Sequence, residues 1–266
     1  MPSNPGIDII TAELAEIDFE SFEETEEGVN AYIQERYFDE EKVKSVFFSL
    51  ENIQVVYEQK LIPAQNWNAV WESNFEPVII DNKCSVRAPF HVKPEGVEFD
   101  LVIEPKMSFG TAHHETTSLM ISYLLKTDVK DKDVLDMGCG TAVLAILAGM
   151  KGAKNITAID IDEWPVENAK ENSRNNNMPH IDVIMGGAEQ LGEKMFDVIL
   201  ANINRNVLLA DMAAYSNVIN KDGTLFLSGF YKEDLEQITN TAFENGLEFV
   251  SFETKNNWTA AQYLKK

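Results

Sequence analysis

The chain has 266 residues, 44% of them hydrophobic, with a formal net charge of −22 and a pI near 4.5. That length suits one large and one small domain, and the charge argues against the broad basic face that direct binding to a nucleic-acid backbone requires. No apolar run reaches membrane-spanning length, and the start Met1-Pro-Ser-Asn-Pro5 lacks the basic and apolar regions of a secretory signal, so a cytoplasmic protein without a membrane anchor is expected. Cys84 and Cys139 alone support neither a disulfide framework nor a zinc site.

From the start, Ile7–Ile17 carries an amphipathic helical pattern. Phe19–Glu24, Gly28–Ile33 and Gln54–Glu58 read as short strands, and Asp39–Leu50 as a second helix with Val43, Val46 and Phe47 on one side. Residues 1–65 are therefore expected to form a small α+β domain. Its surface is acidic: Glu23, Glu24, Glu26, Glu27, Asp39, Glu40 and Glu41 cluster between Glu13 and Glu41, with Arg36 as the only basic residue. Such a surface accelerates encounter with a basic partner and equally serves solubility. Trp67, Trp71 and Phe75 recur every four residues and so share one face of a linker helix at 66–76, which Pro77 ends. The remainder, 77–266, opens with strands at Val78–Ile80 and Cys84–Arg87.

The segment Phe109-Gly-Thr-Ala-His-His-Glu-Thr-Thr117 is polar and leads into the apolar helix Leu119–Leu125, so it can fold over a ligand and cap that helix. An active-site lid is expected there. His113, His114 and Glu115 do not make a metal site, because adjacent residues point in different directions and no further His or Cys set completes a sphere. Beyond it, strands at Val134–Gly138, Ile156–Asp160, Ile181–Gly186, Phe196–Ile203 and Thr224–Phe230 alternate with helices at Thr141–Lys151, Glu163–Asn175, Asn206–Ile219 and Lys232–Asn245. That alternation predicts a doubly wound α/β sheet. Leu247–Glu253 and Trp258–Leu264 then read as an antiparallel hairpin closing the sheet, the usual ending of Rossmann-like methyltransferases.

The chemistry is concentrated at strand ends. Val134-Leu-Asp-Met-Gly-Cys-Gly140 is an apolar strand stopping at a glycine turn, which lets a ligand approach the backbone, and Asp160 ends the next strand with an acceptor pair for ribose hydroxyls. The hydride-transfer fingerprint needs glycine where this chain has Val143, and Asp136 precedes the turn; both favour S-adenosylmethionine, with its amino group and sulfonium, over a dinucleotide. Asn202, in Leu-Ala-Asn-Ile-Asn-Arg205, sits where the fourth strand opens on the cofactor crevice, and its amide oxygen can accept from a nucleophilic amine. An in-line displacement from sulfonium already has a strong leaving group, so orientation supplies much of the acceleration, about 7 kcal/mol or more.

These residues together resemble a family. Glu104-Pro-Lys-Met-Ser-Phe-Gly-Thr-Ala-His-His-Glu-Thr-Thr117, Val-Leu-Asp-Met-Gly-Cys-Gly140, Ala-Ile-Asp-Ile-Asp162, Ile-Leu-Ala-Asn-Ile-Asn204, Leu-Ser-Gly-Phe230 and Lys-Asn-Asn-Trp258 are similar to the PrmA-type methyltransferases, which modify a protein of the large ribosomal subunit. The resemblance implies a ferredoxin-like N-terminal domain that recognises the ribosomal protein, and a C-terminal domain that methylates its α-amino group and lysine ε-amino groups. It also implies that Thr117, Gly138, Asp160 and Asn202 contact S-adenosylmethionine, with Asn202 also facing the target amine. The full cofactor-binding set expected is Phe109, Thr111, Thr117, Asp136, Gly138, Gly140, Asp160, Ile161 and Asn202. The basic ribosomal protein is the expected partner, and the enzyme is expected to act as a monomer.

Two departures stand out. Ala112 and His113 replace the lid's second glycine and following threonine, so a stiffer lid is expected; and only six residues precede Ile7, where the family's small domain begins with a strand. Two other readings stay open: a methyltransferase for another protein or small-molecule amine, and a non-catalytic ribosome-assembly module. A planar-amide substrate is disfavoured, because N-P-P-[YF] is replaced by Asn202-Ile-Asn-Arg205.

Overall fold

A computed structural model describes residues 5–25, 28–49, 55–61, 76–104, 106 and 109–266. The chain divides into two compact units, Met1–Val70 and Trp71–Lys266. In the first, helix α1 (Pro5–Ala15) opens on proline, which costs no hydrogen bond in a helix's first turn. Strands β1 (Ser21–Thr25) and β2 (Gly28–Tyr32) pair antiparallel from Ser21↔Tyr32 to Thr25↔Gly28. Helix α2 (Glu40–Ser49) starts where Asp39 Oδ1 accepts from the backbone N–H groups of Glu41 and Lys42, at 3.0 and 3.4 Å. Leu14, Val43 and Val46 are buried between the helices and the ribbon.

The strand expected at Gln54–Glu58 is not formed: residues 55–58 lie outside any sheet, with Val56 exposed, and Gln54 itself lies outside the described residues. Alternating apolar residues make a strand only where a ladder accepts them. Tyr57 instead packs its ring on Phe47, centroids 5.1 Å apart. The Trp67, Trp71 and Phe75 stripe of the expected linker helix also lies outside the described residues.

The second unit begins with a small sheet of β3 (Val78–Ile80), β4 (Cys84–Arg87) and β5 (Phe99–Val102). β3 and β4 form a hairpin with three connecting residues; Lys83 N donates to Ile80 O at 3.0 Å around Asp81 and Asn82, whose φ of 51° and 53° are both left-handed. β5, parallel to β4, has no counterpart in the expected elements. It is held from elsewhere: Asn176 Nδ2 donates to Val102 O at 2.6 Å, and Asn176 Oδ1 accepts from Val102 N at 2.8 Å.

The main sheet follows, with α3 (Glu115–Lys126), β6 (Asp133–Met137), α4 (Val143–Met150), β7 (Asn155–Asp160), α5 (Glu163–Asn175), β8 (Asp182–Met185), β9 (Phe196–Asn202), α6 (Arg205–Val218), β10 (Ile219–Tyr231), α7 (Leu235–Glu244), β11 (Leu247–Lys255) and β12 (Trp258–Lys265). Strand order is β11-β12-β10-β9-β6-β7-β8, parallel from β10 to β8, with β12 antiparallel to both its neighbours. The hairpin closes the sheet as expected, its second strand inserted inside its first. Alternation on β9 builds two cores: Val198 and Leu200 pack with Leu124, Ile146 and Phe226, while Ile199 and Ala201 pack with Met212, Tyr215 and Tyr263. No helix among the described residues is long and apolar enough to cross a membrane.

Candidate active site

The carboxyl ends of β6, β7 and β9 lie side by side, because Met137 pairs with both Ile159 and Ala201. This register brings Asp136, Gly138, Gly140, Asp160 and Asn202 to one edge of the sheet. The glycine turn is fixed by the neighbouring strand: Gly138 N and Cys139 N donate to Ile159 O at 2.8 and 3.0 Å, and Gly140 N donates to Asp160 Oδ2 at 2.8 Å. Asp160 Oδ1 accepts from Asp162 N at 3.2 Å, so each carboxylate oxygen holds one backbone donor and keeps acceptor capacity for a ligand hydroxyl. Ile161, next along, is exposed at the rim.

Asp136 is buried, and its Oδ2 accepts from Ala145 N at 3.0 Å in the first turn of α4. Burial pushes its carboxyl up to about 8, the Ala145 hydrogen bond opposes this, and the neighbouring Asp160 adds to it. The same burial, with Asp136 and Asp160 nearby, drives the Cys139 thiol well above its ordinary range. Both groups at the glycine turn are thus held in their protonated, neutral forms near pH 7.

The 109–117 loop lies on this turn. Thr141 N donates to Phe109 O at 2.9 Å and Thr141 Oγ1 to Gly110 O at 2.8 Å. The close approach explains two glycines: a Cβ on Gly140 would stand 2.2 Å from Phe109 O, and one on Gly110 would stand 2.6 Å from Thr141 Oγ1. Ala112, the departure noted in the sequence, is buried with φ of 65°, a left-handed conformation that glycine adopts more cheaply. Its carbonyl accepts from Ser118 Oγ at 2.9 Å. Thr111 Oγ1 pairs with His113 Nδ1 at 3.2 Å, and His113 Nε2 reaches Glu76 O at 3.0 Å.

At the start of α3, His114 is the N-cap, accepting from Thr116 N at 3.3 Å through Nδ1. The buried Thr117 accepts at Oγ1 from Asn202 Nδ2 at 3.3 Å. This orients the Asn202 amide, and leaves Asn202 Oδ1 buried without a partner. Unsatisfied buried acceptors are rare, and among the described residues only Thr259 Oγ1 shares this state. Phe109, His114, Trp258 and Tyr231 form a chain of ring contacts with centroids 5.1, 4.7 and 4.2 Å apart. His114, Trp258 and Tyr231 were not among the expected site residues. The signal available was Trp258 directly after the Asn-Asn turn, which the strand pairing Tyr231↔Trp258 carries to the carboxyl end of β10.

The chain is similar to known proteins over most of its length. Residues 8–266 match the family model described as ribosomal protein L11 methyltransferase (PrmA). A ribosomal protein L11 methyltransferase of Phocaeicola vulgatus is 47% identical over 270 residues, covering 100% of this chain and 96% of that one. One from Porphyromonas gingivalis is 47% identical over 260 residues, 96% of this chain and 90% of the other. A crystal structure of a ribosomal protein L11 methylase from Lactobacillus delbrueckii subsp. bulgaricus superposes with a TM-score of 0.66 at 25% identity, over 72% of this chain and 100% of that one.

Proposed function

As the chain belongs to the PrmA family of ribosomal protein L11 methyltransferases, we propose that it methylates lysine ε-amino and N-terminal α-amino groups of that ribosomal protein. When bound, the cofactor S-adenosylmethionine would supply an electrophilic methyl group on sulfonium, with a neutral thioether as the leaving group. The residues present fit it: Asp160 retains free lone pairs for ribose hydroxyls beside the Gly138–Gly140 turn, and the buried Asp136 holds the first turn of α4 beneath it through Ala145 N. Thr117 and Phe109 flank the same crevice, with Ile161 at its rim.

The observation that carries the proposal is Asn202 Oδ1, buried and unpaired while Nδ2 is tied to Thr117. An amide so fixed accepts one N–H of a neutral amine and aims its lone pair along the line of displacement. Positioning of this kind supplies about 7 kcal/mol or more without a dedicated base. The aromatic series from Phe109 to Tyr231 offers an apolar wall for a lysine's methylene stem.

In this reading, residues 77–266 form the transferase domain, 66–76 the connection, and 1–65 the recognition domain of a monomer. The exposed carboxylates on β1 and around α2 would meet a basic substrate surface. The test is mass spectrometry of purified ribosomal protein L11 after incubation with this protein and S-adenosylmethionine. Added multiples of about 14 mass units, one CH2 each, on lysines or the N-terminus are expected, with the target amine oriented as argued. An unchanged substrate mass despite measured cofactor binding would overturn the proposal.

A further inference from the structure

Thr141 and Asn172 are fully buried and belong to neither the glycine pair nor the strand-end carboxylate, yet together they join the loop to the turn. Thr141 uses every polar group it has. Its N–H donates to Phe109 O at 2.9 Å, its hydroxyl to Gly110 O at 2.8 Å, and its carbonyl accepts from Asn172 Nδ2 at 3.1 Å. Asn172, on α5, turns its other amide atom to the loop's root, where Oδ1 accepts from Glu104 N at 2.8 Å. One asparagine therefore fixes Glu104 on one side and, through Thr141, Phe109 and Gly110 on the other. Its neighbours on α5 reinforce the root: Asn168 Nδ2 donates to Glu104 O at 3.4 Å, and Lys106 pairs with Glu171.

We propose that Thr141 and Asn172 are positioning residues for methyl transfer, holding the 109–117 loop in register with the glycine turn so that the cofactor pocket and the Asn202–aromatic pocket assemble as one. This deepens the proposed function and rests on it for the word transfer; the loop-holding role stands on the geometry alone. The argument is one of leverage. Phe109 begins the ring series that ends at Tyr231, and three residues beyond it Ala112 O anchors to Ser118 on α3, which also carries Thr117. A loop released at Thr141 would shift Phe109 and His114 together, and a displacement of about 1 Å at reacting groups can lower turnover a hundredfold. Gly140 and Gly110 permit the approach; the threonine hydroxyl and the asparagine amide fix it.

The experiment compares Thr141→Val, which keeps the shape and removes the hydroxyl, with Thr141→Ser, which keeps the hydroxyl, and with Asn172→Asp, which keeps the Glu104 acceptor and cannot donate to Thr141 O. Amide hydrogen exchange of the cofactor-free full-length proteins is read over the segment 140–142, where the residue 141 N–H donates to Phe109 O, beside melting temperature and the kcat and KM for the ribosomal protein. In Thr141→Val and Asn172→Asp, exchange in that segment rises about tenfold or more while strands β6 and β9 keep wild-type protection, and kcat falls further than cofactor affinity. Thr141→Ser restores both. Wild-type exchange in the segment in Thr141→Val, or deprotection spread evenly through the sheet, overturns the assignment. Because exchange needs no turnover, a wild-type protein that fails to methylate the ribosomal protein would sink the proposed substrate while leaving the loop-holding role measurable.

Discussion

Two regions of the catalytic unit treat buried amides in opposite ways. Along α5, Asn168, Asn172 and Asn176 occupy one face at four-residue spacing, and both ends of each amide are engaged, with one another or with the backbone at Val102, Glu104 and Thr141. At the end of β9, Asn202 has one engaged end and one open one. The same residue type fastens the fold where its hydrogen bonds are complete; at Asn202, in the proposed function, the substrate amine would complete them.

The contrast can be broken by substitution. Asn202→Leu removes an acceptor that nothing in the protein uses and a single hydrogen bond, to Thr117, so turnover should fall by about 10²–10³-fold while unfolding free energy falls by no more than about 1 kcal/mol. Asn172→Leu strands Glu104 N–H and Thr141 C=O without partners and should lower unfolding free energy by about 2–4 kcal/mol in denaturant titrations. If the two variants lost equal stability, the distinction would be wrong. Asp160→Ala, which leaves Gly140 N–H unpaired and deletes the hydroxyl acceptors, should weaken cofactor binding by about 1–3 kcal/mol in calorimetry; unchanged affinity would remove Asp160 from the site.

Asp136 sharpens the comparison through pH. Its carboxyl is raised to about 8 by burial, so the folded state favours the protonated form. That contribution to stability is complete below the unfolded carboxyl's range, near ~4, and is lost as pH climbs through the raised value. Asp136→Asn should therefore flatten the decline in cofactor-free melting temperature between pH 6 and 9, within that ~4-to-8 window and just above it. Parallel curves for the two proteins would contradict the assignment. The smallest effect is expected at Ala112, where glycine relieves a left-handed alanine but adds chain entropy: Ala112→Gly should change stability by less than about 1 kcal/mol. A larger loss would mean that the methyl packs more than it strains.

The sequence made the long-period features legible. The five parallel strands have apolar runs and carboxyl ends that name their own chemistry, and the closing hairpin follows from two β-rich runs around Asn256-Asn257. It did not reveal β5, a four-residue strand whose place depends on Asn176, 74 positions away. It overread the alternation at 55–58, where no ladder is offered. The glycines were legible as points of close approach, but not what approaches: Gly140 faces the backbone of Phe109, and Gly110 faces Thr141. Likewise Asn202 could be placed at a strand end, whereas its unpaired oxygen depends on Thr117, a partner 85 residues earlier.

Since β12 lies between β10 and β11, the order of synthesis and the order of pairing disagree. As the chain emerges, β11 precedes β12 and has no ladder to join until β12 arrives; meanwhile β10 keeps an open edge along Thr224–Tyr231. Two strand edges are thus exposed together, each able to pair with a foreign strand. A nascent chain halted at the Lys255–Trp258 turn would be at its most aggregation-prone, and the residues from Trp258 onward would cover both edges in a single step.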